Sequence, residues 1–164
     1  MARMKKTGAL ALVICLAVLM LSGCSGSREF TSNGISITLP SYFKVSEAEG
    51  QTACFKSNNV IVLALREGFE LMDSFADMEL WDYALMVLDA NGFDCDLNEE
   101  GNMVWFEYER TEGEQGAGYH YLACCYKAEG AFWLVQFSST ASYYPIYREN
   151  MFEWARTVAF SDRI

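Results

Sequence analysis

One histidine, four cysteines beyond position 24 and a few clustered acids are the side chains here that could do chemistry. His120 is the single histidine and lies in "GYHYLACC", alternating with Leu122 and Cys124 along one face of an extended segment. A general base needs a nucleophile within hydrogen-bond reach, so the dyad to consider is His120 with Cys54 or Cys95. A satisfied structural or surface histidine is the simpler reading. No G-x-S-x-G, H-E-x-x-H, G-x-x-x-x-G-K-[ST] or S-x-x-K motif occurs. The chain therefore lacks the familiar catalytic sets, and a binding role is the expectation.

The stretch "DCDLNEEGN" places Asp94, Asp96 and Asn98 at the spacing of positions one, three and five of a calcium loop. Glu99 then stands where such a loop turns on glycine, and Trp105 where its bidentate glutamate belongs. A strand with Phe93, Cys95 and Leu97 facing inward, followed by the turn "NEEG", accounts for the same residues. No metal site is expected otherwise. Cys54, Cys95, Cys124 and Cys125 allow three disulfide pairings, and export would permit them. Adjacent Cys124 and Cys125 point to opposite faces of a strand, which disfavours a bond between them; the bridge expected, if one forms, joins Cys54 or Cys95 to one of the pair, and free buried thiols fit equally well. Glu107, Glu109, Glu112 and Glu114 read as a solvated edge, with a cation or partner site as the alternative. Tyr143, Tyr144 and Tyr147 read as residues seating a helix, or as a binding rim.

The strongest motif lies at the start. "MARMKK" is positive, Gly8 to Leu21 is apolar, and "SGC" follows. Fourteen residues rise about 21 Å as a helix, short of the roughly 30 Å hydrocarbon core, which suits a signal peptide rather than a span. Leu21-Ser22-Gly23-Cys24 resembles the lipobox of bacterial lipoproteins. That resemblance implies cleavage between Gly23 and Cys24 and a covalent diacylglycerol and acyl lipid on Cys24, with no other cofactor. Residues 1–23 are then the signal peptide, 24–33 the lipidated cysteine with a short polar tether, and 34–164 the domain. The implied location is the cell membrane, lipid-anchored, on its extracytoplasmic face.

Removing the leader takes away three basic residues and leaves nine against 22 acids, a formal charge of −13. Such a body repels phosphate backbones and argues against nucleic acid; it should also be repelled by anionic lipid. Hydrophobic and aromatic fractions of 52% and 15% predict a packed core.

Positioning these residues requires a strand-rich domain. "GISITLP" alternates apolar residues as a strand, and "TACFKSNN" with "VIVLALREG" forms a hairpin. "DSFADMELWDYALMVLDANG" predicts a helix capped at Asp73 or Ser74, with Met78, Trp81, Leu85 and Leu88 inward and a stop at Asn91-Gly92. Three strands follow, "MVWFEYER", "GYHYLACCYKAEG" and "AFWLVQFSST". The last is apolar on both faces and needs cover on both. A final helix starts near Pro145 and turns Tyr147, Met151, Trp154, Ala155 and Val158 inward.

This order gives a single-domain α+β fold, a mainly antiparallel twisted sheet packed between helices. With "NGISITLPSYF" early, an acidic mid-chain helix and "FWLVQFSST" before a last helix, it resembles the PsbP-like lipoproteins and the Ran-binding Mog-type proteins. Members include photosystem accessory proteins and a GTPase-binding factor, so the resemblance implies a binding or assembly platform. The expectation is a non-enzymatic module with a protein partner in the envelope. Capture of a small ligand or cation for a transporter is the alternative, although the 141 residues from Cys24 onward are too few for a two-lobed solute-binding protein. A hydrolase built around His120 is the third.

Overall fold

The computed structural model describes residues 26–71, 73–112 and 117–161; Gly23, Cys24 and Glu114 lie outside them. Seven strands form one sheet: β3 (Lys44–Ser46), β4 (Ala53–Lys56), β5 (Ile61–Gly68), β6 (Asn98–Glu100), β7 (Met103–Glu112), β8 (Ala117–Ala128) and β9 (Ala131–Thr140). Their order is β3-β4-β5-β9-β8-β7-β6, and every neighbouring pair is antiparallel. A second antiparallel sheet joins β1 (Ser27–Ser32), β2 (Ile35–Pro40) and β10 (Ala159–Phe160) in the order β1-β2-β10. Among the described residues there are two α-helices, α1 (Leu80–Asn91) and α2 (Tyr144–Ala155). None of the described helices is long and apolar enough to cross a membrane.

The two-faced strands divide the core into two layers. Along β9, Trp133, Val135 and Phe137 enter a cluster with β2 and α2, while Phe132 and Leu134 enter another with α1. On the first side Ile35, Ile37 and Leu39 of β2 are wholly buried, and Phe43 meets Trp154 edge-on at 5.3 Å. On the second, Tyr83 of α1 lies flat on Phe132, with centroids 4.2 Å apart and ring planes 5° apart. Burying each such side chain contributes about 1.5–3 kcal/mol. The sheet is thus covered on one face by α1 and on the other by α2 with the small sheet.

Two expectations need correction. The helix predicted from Asp73 or Ser74 begins only at Leu80, with Glu79 in extended conformation before it. Phe75, 3% exposed, is drawn down against Phe132 and Tyr83, which holds Asp73–Phe75 in a separate 3₁₀ turn. The inward face also differs: Tyr83, Ala84, Val87 and Leu88 are buried, whereas Trp81 and Leu85 are 41% and 47% exposed. The stacking of Tyr83 on Phe132 and its hydroxyl's bond to Glu67 select that face. The predicted stop holds: Gly92 is left-handed (φ 65°) and the Phe93 N–H returns to the Leu88 carbonyl at 3.0 Å.

The tether is the second correction. Ser27–Ser32 is strand β1, paired residue by residue with β2, and Phe30 is 5% exposed in the core. Asn33 (φ 46°) and Gly34 (φ 89°) make the two-residue hairpin turn that brings β1 onto β2. Six of the residues assigned to the tether, Ser27–Ser32, therefore belong to the folded domain.

Candidate functional site

Pairing β7 with β8 sets Glu109 opposite His120 and Glu107 opposite Leu122, both acids on the face that carries α2. Pro145 in the first turn starts α2, and its i, i+4 spacing points Tyr144 and Arg148 at Glu107. The Arg148 Nε and Nη2 donate to the two Glu107 oxygens, each at 2.8 Å, and the Tyr144 hydroxyl donates to Oε1 at 2.5 Å. Arg148 also donates to Glu149 and lies over the Phe152 ring at 4.9 Å. His120 Nε2 stands 3.5 Å from Glu109 Oε1, and its ring is 5.2 Å from that of Tyr144. A cleft of about 220 Å³ opens among Glu107, Tyr108, Glu109, His120, Tyr121 and Tyr144.

Burial and hydrogen bonding shift the pKa values of Glu107, Tyr144 and Arg148. Burial alone would raise the Glu107 pKa, but hydrogen bonds from Arg148 and Tyr144 outweigh it and hold the carboxyl below its usual range. Burial first, and then the bond to Glu107, push the Tyr144 phenol well up, so it stays protonated. The bond to Glu107 likewise raises Arg148. The Glu107 carboxylate is thereby hard to protonate and the Tyr144 phenol hard to ionise. Glu107 is therefore no solvated edge, contrary to the reading from sequence.

The thiols fall elsewhere. Cys54, Cys95, Cys124 and Cys125 are all unbridged. Cys54 lies on β4, three strand positions from β8, a separation of about 14 Å that no disulfide spans. Cys124 and Cys125 face opposite layers, as their adjacency in a strand requires, and burial raises both pKa values. Cys95 packs on the α1 side while His120 is on the α2 side, so the Cys–His dyad is not assembled. Asp94, Asp96 and Asn98 are exposed along an extended segment whose Phe93, Cys95 and Leu97 turn toward the core. The Asn98 amide donates to the Asp96 carbonyl at 3.3 Å. Among the described residues no group of three or more His, Cys, Asp or Glu is gathered to hold a metal.

Of the three tyrosines, Tyr144 is buried in the ionic cluster, Tyr147 accepts a hydrogen bond from the Asn59 amide at 3.1 Å, and Tyr143 is 43% exposed. A larger open groove of about 540 Å³ runs along β3 and β4, lined by small polar residues including Ser46, Gln51 and Thr52. Sequence reasoning missed Arg148 and the pairing of Glu107, which joins residues 41 apart in the chain.

Layers and strand order define an α+β sandwich with one antiparallel sheet between helices. No protein family and no curated protein matches the sequence. Solved structures do match in shape. Cyanobacterial PsbP (CyanoP) from Synechocystis superposes with a TM-score of 0.51 at 10% identity, over 86% of this chain and 96% of that one. The Ran-binding protein Mog1p of Saccharomyces cerevisiae gives 0.50 at 7% identity, over 82% and 95%. A Bacteroides thetaiotaomicron protein gives 0.55 at 16% identity, over 83% of this chain and 49% of its own. The domain has the PsbP/Mog-type fold.

Proposed function

We propose that this chain is a lipid-anchored protein of the extracytoplasmic face of a bacterial cell membrane, and that its domain is a non-enzymatic binding or accessory module for a protein partner in the envelope. The observation that carries the reading is the position of the Leu-Ser-Gly-Cys motif in the sequence, two residues ahead of the first described strand. Acyl chains on Cys24 contribute about 0.8 kcal/mol per buried CH₂, and two such chains hold a protein stably on a bilayer. The Glu107–Arg148–Tyr144 cluster supports a binding role, because its donors and acceptors are already fixed.

Capture of a small ligand or cation for a transporter is a second reading, favoured by the polar groove along β3 and β4. In-cell cross-linking followed by mass spectrometry separates the two. A reproducible protein companion that disappears in a Cys24→Ala variant supports the accessory role. A protein recovered without companions, but stabilised against heat by a small solute, supports capture instead.

A further inference from the structure

Charge is distributed unevenly on this acidic domain. Arg66, Arg148 and Arg156 are paired with Glu70, Glu107 and Glu100, Arg28 and Arg110 lie over the rings of Phe30 and Phe93, and the Lys127 ammonium is held by the carbonyls of Ala76 and Met78. Lys44 and Lys56 differ. They are direct cross-strand partners on β3 and β4, both exposed, and neither side chain makes an ion pair or hydrogen bond among the described residues. Like charges directly opposite destabilise a sheet, so an anion between them would relieve a standing repulsion.

Amphipathic residues border this pair. Lys44, Lys56 and Tyr42 line one groove of about 280 Å³, and Lys56 and Tyr143 line the next, of about 270 Å³. Tyr42 and Tyr143 are 50% and 43% exposed. Tyrosine at a charged apolar border is the composition of membrane–water interfaces. The first described residue also lies here: the Ser41 N–H donates to the Gly26 carbonyl at 2.8 Å, setting Gly26 beside Tyr42.

We propose that the Lys44–Lys56 surface, with Tyr42 and Tyr143 at its border, seats on anionic phospholipid and lays the domain on the bilayer by one defined face. This inference rests on the anchoring of Cys24. It reverses the expectation that net charge alone keeps the domain off anionic lipid: the acidic remainder is repelled and the lysine pair is drawn in, and the two effects together set the orientation.

The chain after the leader contains three lysines, Lys44, Lys56 and Lys127, so acylation of lysine by a water-soluble reagent carries its own control. The lipidated protein is reconstituted on vesicles of phosphatidylcholine alone, or of equal parts phosphatidylcholine and phosphatidylglycerol. Lys44 and Lys56 should label about fivefold more slowly on the anionic vesicles, the factor equivalent to about 1 kcal/mol per lysine near the surface. Lys127 should not change, and protection should vanish in molar salt, where the Debye length is about 3 Å. Equal labelling on both vesicles, with the protein still anchored, overturns this inference alone and reduces the lysines to guards of a sheet edge. Protection in cells but not on anionic vesicles assigns the surface to an acidic protein and overturns the lipid assignment. Absence of acyl groups on Cys24, with no vesicle binding, overturns the anchoring and the docking together.

Discussion

Replacing Arg148 by methionine keeps the stem that packs over Phe152 but removes the guanidinium from Glu107. The carboxylate, with 30% of its side chain exposed, is left with the Tyr144 hydroxyl as its donor among those described here. Exposed pairs are worth about 0.2–1 kcal/mol and breaking a buried one costs about 3–5. Arg148 is 37% exposed, so solvent screening places this two-pronged pair between those limits, at about 2 kcal/mol for Arg148→Met. At about 4 °C per kcal/mol for a domain of this size, Tm should fall by about 8 °C. A double-mutant cycle with Glu107→Gln should return a coupling of about 1 kcal/mol at pH 7. Because the folded pKa of Glu107 lies below its unfolded value, near 4.3, this stability is fully present above that value and is lost as pH falls through the folded pKa. The cycle repeated at about pH 3 should therefore show a smaller coupling. A coupling below about 0.3 kcal/mol at pH 7, or one that grows with acidity, would refute the account of this cluster.

Other expectations follow from packing. Val87→Ala and Leu88→Ala should each cost about 1–4 kcal/mol in urea unfolding, whereas Trp81→Gln and Leu85→Gln should stay within about 0.5 kcal/mol, because only the first two are buried. Phe132→Ala should cost about 3–5 kcal/mol, since its ring carries contacts with Tyr83, Phe75 and Phe69. Thiol titration without reductant should find Cys54, Cys95, Cys124 and Cys125 all reactive after unfolding. In the native protein Cys95 should react before Cys124 and Cys125, which burial keeps protonated. Fewer free thiols after unfolding would indicate a bridge that this fold does not contain.

The layered architecture was legible because β9 and β5 carry apolar residues on both faces, and only a sheet covered twice buries both. The face of α1 was not legible. Trp81 and Leu85 satisfy a helical stripe as well as the residues that are buried, and the choice is made by Glu67 and Phe132, which lie far away in sequence. The Asn33-Gly34 turn was a readable hairpin signal, but the polar residues of "SGSREFTSN" concealed a strand anchored in the core by Phe30 alone. Arg148 with Glu107, and Lys44 with Lys56, meet through tertiary packing and strand register, which no local pattern encodes.

Lipid attachment at Cys24 is the claim on which the proposed function depends, and intact-mass and peptide analysis of the protein isolated from bacterial membranes tests it most directly. The account predicts a chain that begins at Cys24, carries diacylglycerol on its thiol, and leaves the membrane fraction when Cys24 is replaced by alanine. A chain with an unmodified Cys24, or one still joined to residues 1–23, would contradict it.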